Sequence, residues 1–360
     1  MKKPFTPEFL PISITAEDHV KLLRLTIRAN EALQKLYRKI ERVPVGKDLF
    51  LSFSLMESIQ STRIEGTQAT FDEVLESNIK QKTSPDIIEV NNYFRAIQYG
   101  VSEIVENENP ISTRMIRQLH QLVLENSRGA NRAPGEFRRT QNWIGSDPND
   151  IKTTSYIAPI AVEIPNLMGN LEKFINENED FEPLIAAGIL HAQFETIHPF
   201  LDGNGRVGRL LILLYLLKKQ VCGNHIIFVS EELEKSKYKY YSLLNGLRQE
   251  EPKWIDWLTF FIESIEKQAQ KYLEKVNQVE GLVDKFLDDP VRKSTAGMRV
   301  LYYCFEEPIT TSTKISEKSG LSITTVNTWL KYFVEKNMLY TDGKKRHVVY
   351  HFYELLDIIR

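Results

Sequence analysis

The chain has only two cysteines, Cys222 and Cys304, far apart and each in an apolar setting. So little cysteine leaves no disulfide framework and implies two buried, reduced thiols in a cytoplasmic protein. Long apolar runs are also lacking. The longest, LLILLYLL, has eight residues, far short of the roughly 20 that a membrane-spanning helix needs. The N-terminal stretch MKKPFTPEFLPISITAEDHV offers two lysines but no apolar segment behind them, so it does not read as a secretory signal. Charge of one sign is not in excess. A net charge of −2 argues against a nucleic-acid coat or adhesion to an anionic membrane. No internal repeat or low-complexity tract is visible. What is present, over 360 residues that are 42% hydrophobic and 26% charged, is an ordinary globular composition with length for two or three domains.

Most of the chain is helical in pattern. Apolar residues recur at three and four spacing over 16–42. A second helix, KDLFLSFSLMESIQSTRIEG, places Phe50, Leu51, Phe53, Leu55 and Ile59 at helical spacing and closes on Gly66. Thr70 and Glu73 form a capping box before the next helix. Residues 85–108, 111–127, 166–177, 183–196 and 206–219 also read as helices. Between Gly129 and Pro165 the character changes, and IKTTSYIAPIAVEIP suggests a short hairpin or extended flap at about Thr153–Ile164. Two or three further helices follow residue 236, then DDPVRK at 288–293 reads as a linker. The remainder resembles a winged helix-turn-helix, with Gly320 at the turn and MLYTDGKKRHVVYHF as the wing.

The densest polar constellation is HPFLDGNGRVGRLL, from His198 to Leu211. Gly203, Gly205 and Gly208 fit a dinucleotide fingerprint, but that needs a strand in front of it. Here a helix-periodic segment precedes it, and no lysine follows as a phosphate-binding P-loop would require. The physics those glycines share survives. A Gly-Asn-Gly turn entering a helix N-terminus offers successive backbone N–H groups to an anion. Arg206 and Arg209, three apart, add guanidinium forks on one helix face. Cations oppose a helix N-terminus, and a bound polyphosphate resolves that conflict. Asp202 supplies a hard oxygen ligand suited to magnesium on a phosphate. His198, stiffened by Pro199, is a candidate general base.

HPFLDGNGRVGR resembles the Fic family signature HPFx[DE]GNGRxxR, with no departure at a functional position. The resemblance spans roughly residues 50–265. It implies a mainly α fold: a Fic-type helical core with a short β-hairpin flap, plus the C-terminal winged helix-turn-helix. The expected organisation is an N-terminal helical region (1–110) carrying an inhibitory helix (about 47–66), a catalytic core with its following helices (111–288), and the winged domain (289–360). The implied activity is protein adenylylation, the transfer of AMP from ATP to a Ser, Thr or Tyr hydroxyl of a protein. By that resemblance His198 takes the hydroxyl proton and Asp202 holds Mg2+ against the α- and β-phosphates. Asn204 meets the α-phosphate, Gly203 and Gly205 offer N–H groups, Arg206 binds the β-phosphate, Arg209 the γ-phosphate, and Phe200 anchors the loop. The flap would pair with an extended segment of the target protein. Tyr241, in KYYSLLNGLR, stands where relatives place groups near the adenine, and equally suits a core tyrosine.

Glu65 is an acid in a helix's last turn, where the macrodipole is negative, a placement that costs about 0.3–1 kcal/mol unless a cation answers it. Ser61-Thr-Arg-Ile-Glu65-Gly66 is similar to the family's inhibitory motif, [ST]xxxE[GN]. The resemblance implies that Glu65 pairs with Arg209, takes the γ-phosphate's place and represses transfer. Related enzymes also use this glutamate to orient a water that removes AMP again. Self-modification and a homodimer are further expectations from the family. The competing reading is a DNA-binding regulator with a sensing core. Residues 291–360 hold eleven Lys/Arg against seven Asp/Glu, about +4. The second helix of that unit, however, presents Ser322, Thr324, Thr325, Asn327 and Thr328 with only Lys331 and Lys336, so a protein-binding role is favoured over DNA. An inhibitory motif in the same chain also disfavours a toxin restrained by a separate partner.

Overall fold

A computed structural model describes residues 3–80, 83–145, 154–344 and 346–360. Two helices form its centre, α7 (Pro183–Ile197) and α8 (Asn204–Lys218), packed on each other. Both are mostly apolar and buried around the whole circumference: every α7 residue from Leu184 onward is buried, as are Leu210 to Leu217 of α8. A helix apolar on all faces must be enclosed by other elements. The enclosing elements are α2 (Gly46–Ile64), α4 (Pro85–Val101), α5 (Thr113–Leu124), α6 (Ile164–Glu177) and α11 (Trp254–Phe286). The 27-residue α1 (Ala16–Arg42) lies along α11. The remaining small elements of this region are α3 (Phe71–Lys80), the strand β3 (Val221–Asn224), α9 (Ser230–Lys235) and α10 (Lys237–Gly246).

Helix starts follow local chemistry. Thr15, Ser84 and Ser112 cap α1, α4 and α5 through their hydroxyls, and Pro85 occupies the first turn of α4. The Thr70–Glu73 box closes in both directions, at 2.9 Å and 3.3 Å. In α2 the apolar periodicity misleads: Leu51 is exposed, while Ser54, Ser58, Gln60, Ser61 and Thr62 are buried. The hydroxyls of Ser54, Ser58 and Thr62 each return a hydrogen bond to the carbonyl four residues back, so the polar face needs few outside partners. Glu57 is the exception. Its buried carboxylate accepts from the N–H groups of Val229 and Ser230, at 3.2 and 3.0 Å, and so caps α9. This fixes α2 in the core.

The hairpin lies upstream of where the sequence pattern places it. Its strands are β1 (Trp143–Gly145) and β2 (Thr154–Ile157), antiparallel, with Trp143 opposite Ile157. Thr153 is outside the described residues. Pro159 has no N–H for a ladder, residues Ala161–Glu163 form a 3-10 turn, and Pro165 opens α6. Residues 288–293, expected as a linker, instead hold the short helix α12 (Asp289–Arg292), capped by Asp288 and pinned by buried Val291. Beyond it stand α13 (Thr295–Glu306), β4 (Ile309–Thr311), α14 (Ser312–Ser319), α15 (Ile323–Glu335), β5 (Tyr340–Thr341), β6 (Val349–His351) and α16 (Tyr353–Ile359). The strands form one antiparallel sheet in the order β4-β6-β5. Gly320, at φ 68°, ends α14 in the left-handed region as the turn requires. Lys345, near the expected wing tip, is outside the described residues. Helices α13 and α16 pack on α2, and Arg360 forms a forked contact with Asp72 of α3.

No helix among the described residues is long and apolar enough to cross a membrane. Cys222 and Cys304 are both buried, and burial pushes both thiols up to about 12. Neither is expected to react with an aromatic disulfide reagent at pH 8 in the native protein, and both are expected to react in denaturant. A native titre of one or two thiols would contradict this packing.

Candidate active site

The segment from His198 to Arg209 is the turn between α7 and α8. His198 ends α7 in the left-handed region, φ 48°, and its N–H reaches Phe194 O at 2.9 Å. A non-glycine residue held there is strained unless its surroundings fix it. Arg138 supplies the fixing. Its Nε donates to His198 O at 2.9 Å, its Nη1 to Thr140 O at 3.0 Å, and its Nη2 to Pro159 O at 2.6 Å. One guanidinium therefore ties the α7–α8 turn to the base of the hairpin. Burial lowers its pKa to about 10, which leaves it charged at neutral pH.

Phe200 is fully buried and stacks on His120, ring centroids 3.7 Å apart. His120 accepts from Gly135 N–H at Nδ1, 2.8 Å, so its Nε2 carries the hydrogen and donates to Asp202 O at 2.9 Å. Burial pushes that imidazole down to about 4, which keeps it neutral. Asn204 closes the turn through its amide, which bonds both the N–H and the C=O of Phe200 at 2.9 Å. Gly203, at φ 76°, is the N-cap of α8. Gly205 permits a close approach: a Cβ there would stand 2.2 Å from Glu65 Oε1.

Both arginines lie on α8. Arg209 is wholly buried. Its Nε donates to Ser61 Oγ and its Nη2 to Ser61 O, each at 2.9 Å, and Nη2 also reaches Glu65 Oε1 at 2.6 Å. Burial works against the charge on Glu65, but the guanidinium of Arg209, with Arg206 and Lys237 behind it, more than offsets this. The carboxyl is held below the usual carboxylate range. Arg206 leans on Asp202 at 3.3 Å and on Glu89 at 3.9 Å. Glu89 is itself held by Arg128, at 2.7 Å, and by Thr67. Among the described residues, Arg206 Nε and Nη1 and Arg209 Nη1 are buried with no hydrogen-bond partner. Buried donors left unpaired are costly, and both arginines stand in the first two turns of α8, where a helix N-terminus favours an anion.

A cleft of about 470 Å³ opens above this turn. It brings together His198, Gly205, Arg209, Glu65 and Tyr241, with Glu195, Trp143 and Arg248 also on its walls. Asp202 and Gly203 in the turn, and Asn204 and Arg206 in the first turn of α8, lie beside the cleft rather than on its wall. Tyr240 and Tyr241 both line the cleft; Tyr241 is 38% exposed, whereas Tyr240 is buried and bonded to His191 at 2.9 Å. The His198 Nδ1 lies 3.4 Å from Glu195 O, which leaves Nε2 for a substrate. Burial, then the charges of Arg248 and Arg138, push this imidazole down to about 3, so it is neutral. The Asp202 side chain is 44% exposed, and no group of three or more His, Cys, Asp or Glu among the described residues could hold a metal ion. A divalent cation at Asp202 would therefore complete its shell with substrate phosphates and water, as Mg2+ commonly does.

Residues 110–216 match the description Fic/DOC family, and residues 23–102 match Fic/DOC family N-terminal. The chain belongs to the Fic/DOC family. Among its curated relatives are the protein adenylyltransferase Fic of Culex quinquefasciatus, 28% identical over 42% of this chain and 28% of that protein, and that of Drosophila melanogaster, 27% identical over 49% and 32%. The chain thus matches under a third of the length of these relatives. Among solved structures, a Fic family protein from Desulfovibrio desulfuricans aligns over 98% of both chains with a TM-score of 0.59 at 21% identity. Fic-1 from C. elegans aligns over 73% of this chain and 75% of its own, with a TM-score of 0.56 at 17% identity. These likenesses establish the mostly helical Fic fold.

Proposed function

We propose that this Fic chain transfers AMP from ATP to a protein hydroxyl and is held in check by its own Glu65. The observation that carries the reading is the position of Arg209. It is a fully buried guanidinium in the cleft of His198, occupied on one side by Glu65 and left with an unpaired N–H. The adenylyltransferase names of the relatives supply the group transferred.

In this reading Arg206, Arg209 and the backbone at Gly203 and Gly205 cradle the triphosphate. Asn204 serves by shaping the turn, because its amide already spans Phe200. Tyr241 and Trp143 offer ring faces on the cleft for the base. Asp202 would hold Mg2+, which would neutralise phosphate charge. The hydroxyl proton passes to His198 Nε2 as the oxygen bonds the α-phosphorus, and pyrophosphate leaves with the electron pair of the broken P–O bond. Positioning and electrostatics supply most of the acceleration in such transfers.

The target segment would add to β2. Ala158 N–H bonds Asn142 O across the hairpin, so the backbone of Ile157 points to the outer edge, where it accepts from Phe5 N–H at 2.9 Å. A docking segment replaces or extends that contact. The DNA-binding alternative gains nothing from the C-terminal unit. Lys331 pairs with Glu335 at 3.8 Å and Lys336 with Asp288 at 3.6 Å, so the exposed face of α15 has little free positive charge for phosphates. That unit packs on α2 instead.

The deciding experiment is intact-mass analysis of wild type and Glu65→Gly after incubation with ATP and Mg2+. Addition of one or more AMP groups to Glu65→Gly, with little on wild type, supports transfer, self-modification and restraint together. Absence of AMP from the chain and from every protein of a cell extract labelled with α-phosphate-tagged ATP would overturn the reading. A purified modified target that loses AMP with wild type but not with Glu65→Gly would add a removal activity.

A further inference from the structure

Glu195 is a buried acid that the transfer chemistry above does not use. It lies one turn before the end of α7, in the sequence Phe194-Glu195-Thr196-Ile197-His198. Its side chain is 8% exposed and on the cleft wall. Its Oε1 has no hydrogen-bond partner among the described residues, and its one ion-pair contact there is from Oε2 to His198 Nδ1, at 3.9 Å. The backbone carbonyl of the same residue faces that nitrogen at 3.4 Å and also accepts from Arg248 Nη2 at 3.0 Å. The guanidinium of Arg248 is in turn stacked 4.0 Å from the ring of Tyr156 on β2. One residue thus presents two oxygens to the far side of the imidazole whose near side meets the substrate.

We infer that Glu195 is a positioning residue for His198: its carboxylate turns Nε2 toward the target hydroxyl and stabilises the imidazolium formed when that hydroxyl loses its proton. The inference rests on the AMP-transfer reading for its chemistry but not for its geometry. The proton stays on His198 Nε2 until products leave, and Glu195 donates and accepts nothing covalently. The resulting positive charge, in a buried cleft already crowded by Arg209 and Arg248, needs an anion on its Nδ1 side. Glu65 is not that anion, because its bond to Arg209 is the restraint that transfer has to break, and the Glu65→Gly chain lacks it altogether.

The charge state of Glu195 follows from what surrounds it. Burial pushes its carboxyl up to about 7; Glu65 at the end of α2 adds to the rise, while Arg209 on α8 and Arg248 beyond α10 oppose it. His191 on its own helix and the phenols of Tyr240 and Tyr241 on α10 complete the surroundings, and all three are uncharged at neutral pH. The anion is therefore gained as pH rises through about 7, and transfer should rise with it.

The test uses the full chain carrying Glu65→Gly, with and without Glu195→Gln, which preserves shape and removes the charge. With ATP and Mg2+, Glu195→Gln is expected to lower kcat at pH 8 by about tenfold or more, with KM for ATP within about twofold, and to flatten the rise between pH 6 and 8. A second readout needs no transfer activity. In the parent, which lacks the raising charge of Glu65, the His198 ring resonances should show an inflection from the neighbouring carboxyl, set by its burial against Arg209 and Arg248, lost in Glu195→Gln. Identical ring titrations in the two proteins would overturn the inference, as would an unchanged kcat and pH profile. Lack of AMP transfer by the parent with the inflection intact would overturn the transfer reading alone.

Discussion

Replacing Glu65 by glycine is expected to raise AMP transfer about a hundredfold, equivalent to about 2.8 kcal/mol at 1.4 kcal/mol per decade. The contact removed is the 2.6 Å bond from Arg209 Nη2. Losing one partner of a buried ion pair commonly costs about 3–5 kcal/mol, because it leaves a charge uncompensated. A triphosphate recovers that cost in the variant but has to compete for it in the wild type. Arg209 keeps two bonds to Ser61 on the same helix, so the variant should retain its fold. The pH dependence has a definite sign. The Glu65 carboxyl is depressed below its ordinary value, so the contact is fully formed above that ordinary value and is lost only as pH falls through the lower, folded one. Repression should therefore persist at every pH from 6 to 8, and mild acid should not relieve it. Labelled transfer by wild type and variant across that range checks both statements. Equal rates, with equal melting temperatures, would show that Glu65 is only a helix end.

Much of this site was legible in the chain because it is local. Twelve consecutive residues carry the base, the phosphate turn and both arginines, and the α8 periodicity places Arg206 and Arg209 by arithmetic. The electrostatic oddity of an acid at the end of α2 was legible too. Its partner, 144 residues away, emerged only through resemblance to an inhibitory motif. What stayed hidden depends on tertiary packing. Arg138 reads as half of an ordinary Arg-Arg pair, yet its side chain bonds four backbone carbonyls, a role no spacing announces. Glu57 looks like a surface acid on an amphipathic helix, but α2 is enclosed on several sides and its apolar stripe carries little information. The first strand of the hairpin was missed because Trp143–Gly145 is three residues long and follows a loop, too short for alternation to show.

Replacing His198 by alanine in the Glu65→Gly background is expected to lower transfer by about 10²–10⁴-fold, the usual worth of a general base, while ATP binding stays within about twofold. The separation follows from the geometry. The polyphosphate donors belong to α8 and its N-terminal turn, whereas His198 belongs to the end of α7 and is held by Arg138 through its carbonyl, which alanine retains. The left-handed backbone at φ 48° is unfavourable for both residues, by about 1–2 kcal/mol, so the exchange should alter folding little. Isothermal titration with a non-hydrolysable ATP analogue, beside a single-turnover assay with labelled ATP, separates binding from chemistry. Because burial keeps His198 neutral down to about pH 3, the base is competent throughout pH 6–8, and a rise in rate over that interval belongs to another group, for which Glu195 is the nearest acid. Retention of more than about a tenth of the parent's rate would mean that the hydroxyl loses its proton without His198, and the role assigned to the α7–α8 turn would reduce to holding phosphate.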